Sequence, residues 1–243
     1  MIAQRLGDYE FQNTIQAAIN SAESGFKFLE VDLFEVSDGR LICHHGPELP
    51  PQRLLVKDDT CTLKGLVKVL EAYPDVYLIL DIKTDYLRAL IRINDLHHSI
   101  DGDSNGMRDR LIFQVYAPRD IRSLEKVFGQ SRHPINAPIV TLYNSHSKAS
   151  VVDRFLPDWV AALTVPVTRS AETAQIQLRP NRLLLTHPVT SCGSLDQYAS
   201  SGFVGFYGPS SLAQCPRLTA LNRPAVRELS SIKSVPTNAR ASQ

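Results

Sequence analysis

The chain has 243 residues, 43% hydrophobic and 21% charged, which suits one globular domain with a full core and lies in the usual length range of α/β barrels. Lysine plus arginine number 26 and aspartate plus glutamate 25, for a net charge of +1. With no long basic run either, nothing in the charge pattern favours nucleic acid as a partner. No stretch approaches the roughly 20 apolar residues that span a bilayer, and Met1 leads into a short apolar pair rather than a basic and then apolar signal region. A soluble, cytoplasmic protein without a transmembrane segment is expected. Met1 falls inside the first predicted strand, so the sequence leaves open whether it is the true start and whether a leader precedes it. Cys43, Cys61, Cys192 and Cys215 show no Cys-x-x-Cys spacing and lie too far apart to suggest a disulfide framework, so reduced thiols are expected.

Short runs of β-branched and aliphatic residues alternate with amphipathic stretches of helical period, the pattern of parallel strands joined by crossover helices. In chain order the predicted strands are Met1 to Gln4, Phe28 to Phe34 with Leu41 to His44 beside it, Val76 to Lys83, Leu111 to Tyr116, Pro138 to Tyr143, Val160 to Val165, Arg182 to His187 and Phe203 to Tyr207. Counting the second pair as one position gives eight. The predicted helices are Gln12 to Ser24, Leu63 to Ala72, Asp85 to His97, Pro118 to Phe128, Lys148 to Phe155, Ala171 to Leu178 and Ser194 to Ser200. Asn13 or Thr14 can cap the first, Gly25 ends it, Ala117-Pro118 opens the fourth and Gly202 closes the seventh. Asp101 to Arg108 mimics part of a calcium loop but lacks its position-12 glutamate, and reads as a surface loop. Eight units, with no Gly-x-Gly-x-x-Gly after the first strand, favour a single (β/α)8 TIM barrel over a doubly wound sheet. The barrel is expected over residues 1–229 and a disordered tail over 230–243.

Strand periodicity puts Glu30 and Asp32 on one face, where apolar residues would normally pack. At the mouth of a barrel two such carboxylates repel unless they share a proton or a cation, and a hard divalent metal such as magnesium or calcium suits them. Salt bridges at a strand end are the structural alternative. Asp81 ends the apolar run Val76 to Leu80, and Lys83 shares its face. Asp81 can complete a metal site, and Lys83 can hold a substrate phosphate or stabilise developing charge. Alternation puts His44 and His45 on opposite faces, and the one at the mouth, taken as His45, can act as a general acid or base. His97, His98, His133 and His146 read as surface residues. Trp159, Tyr116, Tyr143, Phe206 and Tyr207 lie near strand ends, more consistent with core than with a pocket wall.

The order and approximate spacing of Gln4-Arg5, Asn13-Thr14, Glu30-Val31-Asp32, Asp38-Gly39, His45 and Asp81-Ile82-Lys83 resemble the signature of the glycerophosphodiester phosphodiesterase family, in the phospholipase C-like superfamily. The motif set covers the first third of the chain. Weaker likeness continues through Gln114, Thr186 to Val189 and Gly202 to Gly205. His45-Gly46 and the Asp-Ile-Lys-Thr run at Asp81 are similar to the related sphingomyelinase D branch. The resemblance implies that Glu30, Asp32 and Asp81 bind one divalent cation (Mg2+ or Ca2+), that His45 is an acid/base catalyst, and that Lys83 and Arg5 contact phosphate. It implies a phosphoric diester hydrolase of lipid metabolism, acting on glycerophosphodiesters or (lyso)phospholipid headgroups, with a small-molecule phosphodiester as partner.

One position departs. The family begins with His-Arg-Gly, and this chain has Gln4-Arg5-Leu6. Glutamine donates and accepts hydrogen bonds but cannot exchange a proton near pH 7, so a second expectation stands beside the first: a catalytically impaired barrel that binds a phosphodiester or lipid headgroup without cleaving it. His187, at the seventh strand end, is a further candidate to supply the missing proton transfer, against a simpler packing role. The oligomeric state is not legible.

Overall fold

A computed structural model describes residues 1–7, 12–46, 60–99, 107–129, 138–142, 148–170, 178–179 and 182–215. The strands are the apolar runs expected: β1 Ile2–Ala3, β2 Phe28–Glu35, β3 Leu41–Cys43, β4 Tyr77–Ile82, β5 Leu111–Val115, β6 Ile139–Thr141, β7 Ala162–Pro166, β8 Leu183–His187 and β9 Gly205–Gly208. Eight are parallel and run in the order β1-β2-β4-β5-β6-β7-β8-β9. The sheet closes because Ile2 pairs with both Phe28 on β2 and Tyr207 on β9. The architecture is a single (β/α)8 TIM barrel. β3 lies outside that count, antiparallel to the far end of β2, with Leu33 opposite Cys43 and Glu35 opposite Leu41. Gly39, at φ 84°, supplies the left-handed turn between the two strands.

Helices α1 Ile15–Glu23, α2 Leu63–Ala72, α3 Tyr86–Ser99, α4 Pro118–Phe128, α5 Ala149–Phe155 and α6 Cys192–Ser200 surround the barrel. Thr14 caps α1 by accepting from the Ala17 N–H, and Thr62 and Ser191 cap α2 and α6 in the same way. Burial of Leu63, Leu66, Val67 and Leu70 on α2 follows the helical period onto the sheet. The predicted helix at Ala171 to Leu178, the Asp101 to Arg108 loop and the tail at 230–243 lie outside the described residues or largely so.

Two apolar zones organise the interior. The larger lies between sheet and helices and includes Leu29, Val31, Leu78, Leu80, Phe113, Leu66 and Leu90. The smaller joins Ile2, Phe28, Ile79, Ile112, Ile139, Ala162, Leu185 and Tyr207. One residue from each of the eight parallel strands meets there, which only the lumen permits. Strand alternation therefore aims the residue two positions on into the lumen as well. On six strands that residue is polar and buried: Glu30, Asp81, Gln114, Thr141, Thr164 and His187.

The expectation of reduced thiols is overturned. Cys43 is bonded to Cys61 and Cys192 to Cys215, with Cα separations of 5.3 and 5.5 Å. Linear spacing misled, because the chain doubles back. An Ile42–Thr62 bridge and the Cys43 N–H donating to the Cys61 carbonyl bring the end of β3 against the start of α2. The second disulfide ties the start of α6 to the chain just after a short 3₁₀ helix, Ser210–Gln214. Replacing Cys192 and Cys215 together by serine is expected to lower the unfolding free energy by about 3 kcal/mol, through lost loop closure, measured by urea denaturation. Thiol titration of the unfolded, unreduced chain is expected to find no free thiol, and an unchanged denaturation midpoint with titratable thiols would contradict the pairing.

Candidate active site

The lumen positions near the C-terminal ends of β2, β4 and β5 carry Glu30 and Asp32, Asp81 and Lys83, and Gln114 and Tyr116. Register aligns Asp32 with Asp81 and Asp81 with Gln114. One carboxylate oxygen each of Glu30, Asp32 and Asp81 lies within 4.8 Å of the others, and all three residues are buried. The shared face read from the sequence is thus the geometry found.

Burial first, and then the negative charges of Asp32 and Asp81, push the Glu30 carboxyl well above its ordinary range. Burial also raises Asp81, against the attraction of Lys83. The cluster is partly neutralised by cations. Lys83 Nζ lies 2.7 Å from Asp81 Oδ2 and 3.2 Å from Asp32 Oδ1, and Arg5 Nε lies 3.3 Å from Asp32 Oδ2. Burial works against the Lys83 ammonium, but the Asp81 and Asp32 carboxylates more than compensate and raise its pKa.

The turn after β1 supplies further donors. Arg5 (φ 50°) and Leu6 (φ 67°) are left-handed, a conformation that costs a non-glycine residue on the order of 1 kcal/mol or more. It aims the Arg5 backbone N–H at Glu30 Oε2, 2.7 Å away. Asn13, also left-handed at φ 55°, donates its amide to Asp32 Oδ2 at 3.0 Å and accepts from the Asp32 N–H at 3.2 Å. Thr14 is thus the helix cap, and Asn13 serves the carboxylates. Ser21 on α1 pins the turn by donating to the Leu6 carbonyl at 2.6 Å.

Three donors converge on one oxygen of Asp81. Lys83 Nζ, Gln114 Nε2 at 2.8 Å and the Tyr116 hydroxyl at 2.6 Å all meet Oδ2. Oδ1 of the same carboxylate is buried with no hydrogen-bond partner. Such an atom is costly to leave bare. Three carboxylates with an orphaned oxygen fit a hard divalent cation held by oxygen donors. Gln114 Nε2 also donates to the Tyr116 hydroxyl at 2.7 Å, and its Oε1 accepts from Tyr207 at 3.2 Å. Three strands lie between β5 and β9 either way round the barrel, so this last bond crosses the lumen.

The histidines divide. The His44 N–H donates to the Asp32 carbonyl at 2.9 Å, and its Nδ1 accepts from the Gly46 N–H at 3.1 Å. His45 follows, solvent-exposed, carried to the rim by the β2–β3 hairpin. His187 is buried, with Nδ1 3.0 Å from Thr164 Oγ1 and its ring edge-on to Tyr207. Burial, reinforced by Lys83, depresses its pKa to about 4. Gln4 is half-buried at the end of β1. His133, His146 and Tyr143 lie outside the described residues, as do the side chains of His97 and His98.

Sequence reasoning tied Asn13 and Gln114 to a site only through the family likeness and gave Tyr116 no polar role, yet all three bond the carboxylates; Thr164, also passed over, pairs with His187. The available signal was the two-residue step from an apolar lumen position to a polar one, as in Ile112-Phe113-Gln114 and Ala162-Leu163-Thr164. Phe206 and Tyr207 are buried as expected, whereas Tyr116 is 40% exposed and belongs to the site.

No family model and no curated protein matches the sequence. Solved structures do match. A phosphodiesterase from Oleispira antarctica, in complex with the product sn-glycerol-3-phosphate, is 15% identical, covers 91% of this chain and 95% of its own, and superposes with a TM-score of 0.65. A glycerophosphodiester phosphodiesterase from Parabacteroides distasonis is 12% identical over 92% of this chain and 97% of its own, with a TM-score of 0.64. Another from Agrobacterium tumefaciens is 14% identical over 86% and 94%, with a TM-score of 0.62. The chain therefore has the fold of solved glycerophosphodiester phosphodiesterases over nearly its whole length.

Proposed function

We propose that this protein is a metal-dependent phosphoric diester hydrolase acting on glycerophosphodiesters or (lyso)phospholipid headgroups. The observation that carries the reading is the convergence of Glu30, Asp32 and Asp81, with an unpartnered Asp81 oxygen, beside Lys83 and Arg5 at the C-terminal mouth of the barrel. The fold shared with solved phosphodiesterases supports it. Mouths of TIM barrels are where their chemistry sits.

Glu30, Asp32 and Asp81 would hold one divalent cation, Mg2+ or Ca2+. When bound, it supplies positive charge to the phosphate oxygens. Lys83, protonated at neutral pH, binds a non-bridging oxygen and stabilises the charge that develops there, with Arg5 as a second phosphate contact. A hydroxyl of the substrate itself, or water, attacks phosphorus as the bond to the leaving oxygen breaks. His45 moves the proton. Its exposed position on the hairpin keeps it accessible to a substrate at the rim. Gln4 orients by hydrogen bonding and transfers no proton. Burial and the Lys83 ammonium disfavour an imidazolium at His187, which argues for its packing role against Thr164 and Tyr207 over that of the missing acid.

Gln4 supports a second reading, a barrel that binds the phosphodiester or headgroup without cleaving it. The two disulfides support an oxidising compartment instead of the cytoplasm. No described helix is long and apolar enough to cross a membrane.

Hydrolysis of bis(p-nitrophenyl) phosphate and glycerophosphocholine with magnesium or calcium tests the reading. The native chain is expected to be active, to lose activity with a chelator, and to lose a factor of roughly 10² to 10⁴ in His45→Ala. Activity that appears only in Gln4→His would favour the binding protein with a decayed site, and no activity in either would favour binding alone.

His187 gives a separate pH test. Its folded pKa of about 4 lies below the ordinary 6.5, so between those values the unfolded chain takes up a proton that the folded chain refuses. Stability is full above about pH 6.5 and falls toward pH 4, by about 3 kcal/mol in all. Urea unfolding between pH 7 and 4 is expected to show a shallower fall in His187→Gln than in the native chain. Parallel curves would contradict the neutral assignment.

A further inference from the structure

We propose that Tyr116 is a positioning residue of the metal site, which selects the oxygen of Asp81 that the cation uses; this rests on the metal site proposed above. Asp81 has two oxygens in opposite circumstances. Oδ2 receives the Tyr116 hydroxyl at 2.6 Å, Gln114 at 2.8 Å and Lys83 at 2.7 Å, while Oδ1 is buried and has no partner. An oxygen with three donors has no lone pair to spare, so the clamp leaves Oδ1 as the ligand atom.

The direction of every bond is fixed by its neighbours. The Asp81 carboxylate oxygen can only accept, so Gln114 turns Nε2 toward it and leaves Oε1 to accept from Tyr207. The Tyr116 oxygen accepts from Nε2, so its proton points at Asp81. The backbone behind is fastened too, because Asp120 Oδ2, in the first turn of α4, accepts from the Tyr116 and Ala117 N–H groups at 3.0 and 2.9 Å. The ring sits at the mouth, 40% exposed, with Lys83 Nζ 5.6 Å from its centroid.

Lys83 and Tyr116 differ in what happens when phosphate arrives. Lys83 must leave Oδ2 to bind it, and a cation in the cluster also repels the ammonium. Tyr116 is neutral and stays. It and Gln114 hold Oδ2 in place once Lys83 is gone, which is the service an outer hydrogen-bond partner performs for a metal ligand.

Calorimetric titration of magnesium, calcium and manganese into the substrate-free protein reads this without activity. Tyr116→Phe keeps the ring and is expected to weaken cation binding tenfold to a hundredfold. Lys83→Met removes a competing cation and is expected to tighten it, so a general loosening of the site, which would weaken both, is told apart. Binding by Tyr116→Phe within threefold of the native chain, with Asp32→Asn unable to bind, would overturn the role of Tyr116 and leave the metal site standing. No binding by the native chain at millimolar concentration would overturn the metal site and this inference together. Should Tyr116→Phe lose its native melting transition, Gln114→Met removes the other neutral donor to Oδ2 and takes its place, with the same expectation and the same overturning result.

Discussion

Three carboxylates buried within reach of one another are the arrangement on which the rest of this molecule turns. An isolated ionised carboxylate costs several kcal/mol to bury even after relaxation, and here each also repels two neighbours. The surroundings read as the answer to that cost. Lys83 and Arg5 bring opposite charge. The strained turn at Arg5 contributes a backbone N–H, Asn13 an amide, and Tyr116 and Gln114 neutral donors. Even so, Glu30 and Asp81 keep raised pKa values and Asp81 Oδ1 keeps no partner. Cations on side chains only partly compensate such a cluster, and a divalent ion among its oxygens would compensate the remainder.

The barrel makes the arrangement possible by repetition. On six of the eight parallel strands the period of two carries the lumen face from an apolar residue that packs the floor to a buried polar residue one step nearer the mouth. Phe28 leads to Glu30, Ile79 to Asp81, Ile112 to Gln114 and Leu185 to His187. The floor excludes water from below, and the Tyr207–Gln114 bond braces opposite walls across the lumen. Outside the count of eight, β3 extends β2 past the rim and delivers His44 and His45, with Cys43–Cys61 fixing its far side to α2. Glu35, also buried, is held by Arg88 and Arg92 of α3, so the hairpin is fastened on two sides.

What could be read from the sequence follows from how unusual each residue is for its place. Glu30, Asp32, Asp81 and Lys83 stood out because charge interrupts apolar strands, and the structure gathers them. The eight strands were legible for the same reason of contrast, since apolar runs such as those in Tyr77–Ile82 and Leu183–His187 recur between amphipathic stretches. The roles of Gln114 and Tyr116 were not, because neutral polar residues end strands in any barrel and only their convergence on one oxygen of Asp81 separates these two from the rest. The cysteine pairs were misread because separations of 18 and 23 residues say nothing about proximity until the antiparallel return of β3 and the docking of α6 are known.

The position of Gln4 relates to these energetics in a particular way. The chain carries Arg5, Glu30, Asp32, Asp81 and Lys83 of the resembled signature and departs from it at a proton carrier, and the two are physically separable. Binding a phosphodiester needs cations and oriented donors, which Arg5, Lys83 and an ion among the carboxylates would provide. Breaking it needs a proton moved at each end of the scissile bond, and in the proposed mechanism His45 would be one carrier. A cation and Lys83 would compete for the same negative charge on Asp32 and Asp81, on different oxygens of Asp81. Occupancy by an ion would therefore release Lys83 toward an arriving phosphate, and a phosphate that engaged Lys83 would relieve the ion of its competitor. By linkage each strengthens the other's binding by the same factor. That coupling depends on the carboxylates, Lys83 and Tyr116, and on nothing at position 4, so substrate binding can persist whether or not the chemistry does.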